Sequence, residues 1–344
     1  MKQNPRALVD TLYAKYQEDL SDTFEDEVRK RCPLWIVFLV GKIGLIRGFF
    51  LFWIGRQYPI IITAADASGA WTALFIDSLI GNLDRRFILF EFIRKRPDGW
   101  LKIIYPLYLA LILKPAVRKK MKIGQVLTFW EVDHYARMFE VPRNRFVFLP
   151  YPMYSRNDVP PKFNATSEKP FVLCSGRVSC DWETLFRATE DAQWSLTVVC
   201  TQKQLRRVSR LNHNGRVRIL CDISGEDHFT LLKKATIYVI CMTENIASSG
   251  QVRLANAIRA GVPVVATRIL GLEGYIVQGE TGILVEPGDW EGLRDAIEFM
   301  LQHPDKRQQF RSQAFKKAAK WTREDYFDSL RNMVKTVLEN INSE

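Results

Sequence analysis

Histidine and cysteine are scarce, with four His and six Cys in 344 residues. No group of them has the short spacing that holds a zinc ion, so no metal site is expected. The cysteines also lack the dense framework of a disulfide-stapled secreted module. The opening MKQNPRALVDTLYAKYQEDLSD has no basic-then-apolar leader, and a reducing, cytoplasmic setting is the default expectation. A composition that is 47% hydrophobic and 25% charged excludes disordered and fibrous architectures and suffices for about two domains. No repeat of fixed period is present.

Positive charge is in excess: 49 Lys and Arg against 38 Asp and Glu leave +11. Residues 85–122 hold eleven cations and two acids, Glu91 and Asp98, so +9 of that excess sits in one segment. Such a local patch points to an anionic partner surface. Within it runs Ile103–Leu113, IIYPLYLALIL, eleven residues long and too short to span a bilayer. Arg94, Lys95, Arg96 and Lys102 precede it, and Lys114, Arg118, Lys119, Lys120 and Lys122 follow. Trp100, Tyr105 and Tyr108 are aromatics suited to an interface. A helix of this kind lies on an anionic leaflet, each nearby cation contributing about 1 kcal/mol. The alternative is a core helix with a solvated rim. The cations interleave with aliphatics more than with stacking aromatics, which argues against nucleic acid. A second apolar stretch, Pro33–Gly55, reaches spanning length but contains Lys42, Arg47 and four glycines. It is expected as a buried strand over Leu34–Val40 followed by an amphipathic helix, or as one long helix packed on a sheet.

The rest of the chain alternates strands with helices, the pattern of parallel sheets covered by helices. The expected strands of the first half are Tyr58–Ala65, Arg86–Phe92, Gln125–Phe129 and Phe146–Leu149, and Thr128-x-x-Glu131 has the form of a capping box. Those of the second half are Phe171–Ser175, Ser195–Cys200, Val217–Cys221, Ile237–Cys241, Val262–Thr267 and Gly282–Val285. Five prolines between Pro150 and Pro170 mark a linker, which also carries a sequon, Asn164-Ala165-Thr166, expected to be unused. The resulting division is a charged helical segment (1–31), an N-terminal Rossmann-like domain (32–152), a linker (153–169), a second Rossmann-like domain (170–305) and C-terminal helices (306–344). Two such halves are expected to face a cleft, with ligands at the strand C-terminal ends.

The most informative stretch is Ser248–Asp289. Ser248-Ser249-Gly250-Gln251 forms a small polar turn between a strand and a helix, where backbone N–H groups approach a phosphate and the helix N-terminus adds about half a positive charge. Downstream follow Ala257-Ile258-Arg259-Ala260-Gly261-Val262-Pro263-Val264-Val265-Ala266-Thr267, then Gly279-Glu280-Thr281-Gly282-Ile283-Leu284-Val285 and Pro287-Gly288-Asp289. Upstream stand Ser175-Gly176-Arg177 and Asp181-Trp182-Glu183-Thr184-Leu185. This ordered string resembles the nucleotide-sugar half of GT-B glycosyltransferases, most closely those of family 4. The resemblance is good from Phe171 to Leu301, looser over Thr128–Pro152 and poor over residues 1–57, where the N-terminal domain looks shortened.

The resemblance implies an α/β protein of two Rossmann-like domains, a nucleotide-diphosphate sugar as co-substrate with no further cofactor, and a saccharide or lipid-linked acceptor. It implies transfer with retention, and the basic, apolar segment around Ile103–Leu113 adds the expectation of a peripheral position at the inner face of a membrane. Arg177 is the implied diphosphate ligand and Gly176 the point of close approach. Asp222 and Ser224 fall where the family contacts the base. Where the family carries a second phosphate-binding cation, this chain has Cys180 and Asp181; Arg253 is a candidate replacement. The family's two glutamates spaced by eight are Ser248 and Asn256 here, with Glu244 nearby to serve the sugar, and the acid before the Gly279 turn is Gly274, beside Glu273. On the acceptor side, Asp66 and Gly69 follow one strand. Glu91 ends the next, where many relatives carry a histidine, as a candidate acid/base. A non-catalytic nucleotide-sugar-binding partner subunit and a nucleotide-sugar epimerase are the alternative readings.

Overall fold

Parallel strands buried on both faces read as short, continuous runs of branched apolar residues, and the chain supplies twelve of them among its described residues. The computed structural model describes residues 6–10, 19–65, 67–81, 86–93, 99–158, 170–244 and 248–343. These group into two units, Met1–Pro150 with Tyr326–Glu344, and Tyr151–Asp325.

The first unit runs β1 (Ala7–Val9), β2 (Ser21–Thr23), α1 (Phe24–Arg31), α2 (Leu34–Lys42), α3 (Gly44–Gly55), β3 (Ile61–Ala64), α4 (Ala70–Ile80) and β4 (Phe87–Phe90). It continues with α5 (Leu101–Tyr108), α6 (Lys114–Lys120), β5 (Met121–Val126), α7 (Phe129–Phe139) and β6 (Phe146–Phe148). All pairings are parallel, in the order β2-β1-β3-β4-β5-β6. Among the described residues of 1–31, only Phe24–Arg31 is helical, and β1 and β2 are strands of the sheet. Three-residue strands among charged neighbours carry too little periodicity to be read. Pro33–Gly55 is neither strand-plus-helix nor one long helix. Ile43 is extended (φ −114°, ψ 108°) and separates α2 from α3 at a bend of 116°. Between α5 and α6 the helix widens to π geometry over Leu109–Leu113, with Lys114 N bonded to Leu109 O. Pro115 follows and has no N–H for the ordinary ladder. The Thr128–Glu131 capping box forms as expected.

Two buried charge groups mark this unit. Asp77, Arg86 and Lys120 are all nearly inaccessible to solvent. Arg86 Nη1 donates to Asp77 Oδ1 at 2.9 Å, and Lys120 Nζ lies 3.3 Å from Asp77 Oδ2 while donating to Gly81 O at 3.1 Å. Lys120 also meets the carbonyl end of α4, where the helix dipole favours a cation. The second group is Asp10, fully buried at the C-terminal end of β1, which accepts from Thr63 Oγ1 at 3.2 Å and pairs with Arg47. Burial pushes its carboxyl up to about 6 despite Arg47. The ordinary value of 3.8 is exceeded, so the stability this group gives the fold is fully present below 3.8 and is lost as pH rises through about 6. In urea titrations, Asp10→Asn is expected to flatten the fall in stability between pH 4 and 7. That fall is on the order of 3 kcal/mol for a displacement of this size. An unchanged pH profile would contradict the assignment.

The second unit runs β7 (Phe171–Ser175), α8 (Trp182–Thr189), β8 (Ser195–Cys200), α9 (Gln202–Leu211), β9 (Arg218–Cys221), α10 (Gly225–Lys234) and β10 (Ile237–Ile240). Next come α11 (Gln251–Ala260), β11 (Val264–Thr267), β12 (Ile283–Val285), α12 (Trp290–Gln302), α13 (Pro304–Ala318) and α14 (Arg323–Ser343), the last crossing into the first unit at Tyr326. The sheet is parallel in the order β12-β11-β10-β7-β8-β9, with β7 in the interior. The helices expected over 306–344 are two, and the chain breaks between α13 and α14. There Met153 N bonds Trp321 O, Arg323 N bonds Tyr154 O, and Thr322 Oγ1 accepts from Asp325 N at 3.1 Å. The chain leaving Pro150 therefore pairs with the break, a contact that helix propensity does not register.

Candidate anion-binding site of the second unit

In the second sheet the chain moves outward from β7 in one direction through β8 and β9, then returns to β10 on the other side. The crevice at the C-terminal ends of β7 and β10 is the switch point where such sheets bind ligands. The loop after β7 is laced to the loop after β10: Asp181 N bonds Cys241 O, Thr243 N bonds Ser179 O, and Cys180 bridges Met242. Ser179 sits in the left-handed region (φ 54°), which turns the chain tightly there.

Three of the expected residues converge on this loop. A Cβ on Gly176 would strike Cys180 Sγ and lie 2.8 Å from Cζ and Nη1 of Arg253, so a side chain there would displace the thiol and the guanidinium. Arg253, on the first turn of α11, donates from Nη2 to Val178 O at 2.5 Å, while its Nη1 is buried without a hydrogen-bond partner. An orphaned charged donor is costly unless a ligand accepts from it. Arg177 is exposed beside it, and among the described residues no carboxylate pairs with its guanidinium. The place of the family's second cation is filled as the sequence indicates: Cys180 is buried, and Asp181 caps α8, accepting from Thr184 N at 3.1 Å. Arg253 reaches the same loop from another helix.

One contributor escaped sequence reading. His228, on α10, meets Ser175 Oγ through Nε2 at 2.8 Å, and Ser175 Oγ lies 2.6 Å from the Tyr238 hydroxyl. Burial, and then the Arg177 charge, hold His228 below the usual imidazole range, which favours the neutral ring at pH 7. A lone histidine on a helix offers no motif, and Ser175 was legible only as the neighbour of Gly176.

The remaining expected residues divide. Gly250 caps α11 at φ 95°, and Ser248 and Ser249 precede it, the first buried and the second half-buried. Asn256 is half-buried on the second turn of the same helix. Glu244 is exposed after β10. Gln251 is turned inward: it is buried and its amide donates to Gly271 O at 2.7 Å, fixing the turn after β11. Asp222 (φ 46°) accepts from Gln202 N at 3.2 Å at the start of α9, and Ser224 caps α10 by accepting from Asp227 N at 3.0 Å. Their side chains thus satisfy helix N-termini, a role that the sequence reading did not give them.

In the first unit, Glu91 follows β4 with φ 46°, and its N–H donates to Gln125 Oε1 at 2.8 Å. Gln125 also accepts from the Tyr326 hydroxyl of α14 at 3.2 Å. Phe92, next in the chain, is buried among Trp71, Tyr135, Phe139 and Phe146, which fixes the strand end that carries Glu91. Gly69 is a packing residue rather than an open turn: a Cβ there would strike Gly48 N and Gly44 O of α3. Asp66 lies outside the described residues, as do Arg94, Lys95, Arg96 and the 164–166 sequon. Trp100, Ile103, Leu107 and Leu111 are exposed, while Lys120 is buried against Asp77 and unavailable to an external partner. Among the described residues no cluster of His, Cys, Asp and Glu could hold a metal ion.

Residues 155–317 match the family model described as glycosyl transferases group 1, so the match covers the second unit. No curated protein matches the chain in sequence. Among solved structures it is similar to a glycosyltransferase from Rickettsia africae ESF-5, with TM-score 0.70 and 14% identity over 98% of this chain and 100% of that one. Anabaena HepE in complex with UDP-glucose gives 0.64 and 14% over 98% and 100%. A sucrose-phosphate synthase from Thermosynechococcus elongatus gives 0.68 and 18% over 88% and 79%. The fold is the two-unit α/β plan of GT-B glycosyltransferases.

Proposed function

We propose that the chain is a glycosyltransferase that moves a sugar from a nucleotide-diphosphate donor to a saccharide or lipid-linked acceptor with retention, while resting on an anionic membrane surface. The observation that carries the donor reading is the pair of arginines at the β7 loop, one exposed without a carboxylate partner and one with a buried, unpartnered Nη1. Two arginines on one loop at the sheet's switch point suit a diphosphate, whose charge grows as the sugar departs. In retention of this type the leaving phosphate takes the acceptor proton, so the donor site asks for cations and N–H groups rather than a protein base. The family match over this unit and the HepE structure with UDP-glucose support the same reading. The membrane surface is supported by the exposed apolar stripe of α5 with Lys102 beside it.

Asn256 separates a working donor site from an inherited shell. A neutral amide accepting from a ribose hydroxyl is worth roughly 0.5 to 1.5 kcal/mol, less than a carboxylate. Asn256→Glu is therefore expected to keep or tighten nucleotide affinity and Asn256→Leu to weaken it several-fold, read by calorimetry. Incubating the purified chain with a panel of nucleotide sugars, with and without acceptor lipids and glycans, tests the reaction. Product formed only with acceptor supports transfer. Product without acceptor points to an epimerase, and binding without any product to a partner subunit.

A further inference from the structure

The bent pair α2–α3 packs one side on the core and leaves large apolar side chains exposed on the other. In α3 the protein-facing side combines buried Leu51, Phe52 and Ile54 with close-packed glycines: a Cβ on Gly44 would strike Ser68, one on Gly48 would strike Thr72 and Gly69 O, and one on Gly55 would strike Ile61. The large apolar side chains on the other side, Leu45, Phe49 and Trp53, recur every four residues along one exposed stripe. In α2, LWIVFLVGK, Val40 is the one buried residue, while Leu34 is 86% and Trp35 65% exposed. Ile43, at the bend, is exposed as well. Helices that pack by glycine and present bulky aliphatics outward follow the rule of lipid-facing helices, not of water-facing ones. Monomeric soluble proteins rarely expose a contiguous apolar patch beyond a few hundred Å².

We propose that the α2–α3 bend inserts into one leaflet of an anionic bilayer, as a wedge that does not cross it. This rests on the membrane reading above, and assigns the insertion to a segment other than the basic α5. Charge complementarity selects lipid as the occupant. Arg29 and Lys30 end α1 just before the wedge, Lys42 sits at the bend and Arg56 closes α3, all exposed around the apolar surface. Length limits the depth. Nine and twelve residues meeting at 116° cannot span the bilayer as a single helix, whereas a shallow wedge buries Ile43, Leu45 and Phe38 below the headgroups.

The test is flotation of the full chain with vesicles of phosphatidylcholine containing about one-third phosphatidylglycerol, against vesicles of phosphatidylcholine alone. Wild type is expected to float with the anionic vesicles, and to remain largely bound at about 0.5 M salt, where headgroup attraction is screened. Trp35→Ser/Phe38→Ser/Leu45→Ser is expected to lower binding at least about tenfold at both salt concentrations. Ile103→Ser/Leu107→Ser is expected to lower it less. Circular dichroism and an unchanged UDP affinity in the second unit check that the variants fold. A folded triple variant that binds like wild type, while the α5 variant does not, overturns the wedge and leaves the membrane reading standing. Wild type that fails to float overturns both. If light scattering then shows a dimer that the triple variant dissolves, the surface belongs to a second copy of the chain.

Discussion

Arg177→Ala is expected to reduce sugar transfer by about ten- to a hundredfold with little change in thermal stability. The side chain is exposed and, among the described residues, has no carboxylate to hold it, so its removal leaves no buried group stranded. What is lost is a charge-assisted bond to the diphosphate, worth roughly 1.5 to 3 kcal/mol, or one to two powers of ten in rate. Arg253→Ala should behave differently. It removes the bond to Val178 O, which costs about 1 kcal/mol, and also the orphaned Nη1, whose loss offsets part of that cost, so activity should fall while stability changes by no more than about 1 kcal/mol. Initial rates and melting curves of the two variants separate the roles. Full activity in a folded Arg177→Ala protein would remove it from the donor site.

The largest stability effect is expected at Asp77. Asp77→Ala leaves Arg86 and Lys120 buried without their shared carboxylate. Breaking one partner of a buried ion pair costs about 3 to 5 kcal/mol. For a unit of this size that lowers the melting temperature by roughly 10 °C or more. Asp77→Asn keeps an acceptor for Arg86 and should lose less. Circular dichroism melts of both variants decide it, and a change below about 1 kcal/mol would mean that Arg86 and Lys120 rely on Gly55, Tyr58 and Gly81 carbonyls instead.

The second unit was legible almost element by element, because each strand is a buried apolar run between turn residues and each long helix has a polar face. Gly176, Gly250 and Arg177 could be placed from order along the chain. The convergence of Arg253 on Gly176 could be proposed but not read, since 77 positions separate them. The capping by Asp222 and Ser224, the inward turn of Gln251 and the His228–Ser175–Tyr238 chain depend on side-chain directions that a single sequence does not carry. In the first unit, β1 and β2 were missed for their shortness. The α2–α3 stretch differs for another reason: its hydrophobicity predicts burial, although much of it faces outward. Its glycines Gly44 and Gly48 are what bring α3 against the start of α4.

The central claim is that the β7 loop holds a nucleotide diphosphate. Titrating UDP into the wild-type chain and into Arg177→Ala by calorimetry tests it most directly. Saturable binding at or below about 1 mM, weakened about tenfold or more by the substitution, is the predicted result. Equal affinity in both proteins, or no binding of UDP, GDP or ADP at millimolar concentration, would contradict it.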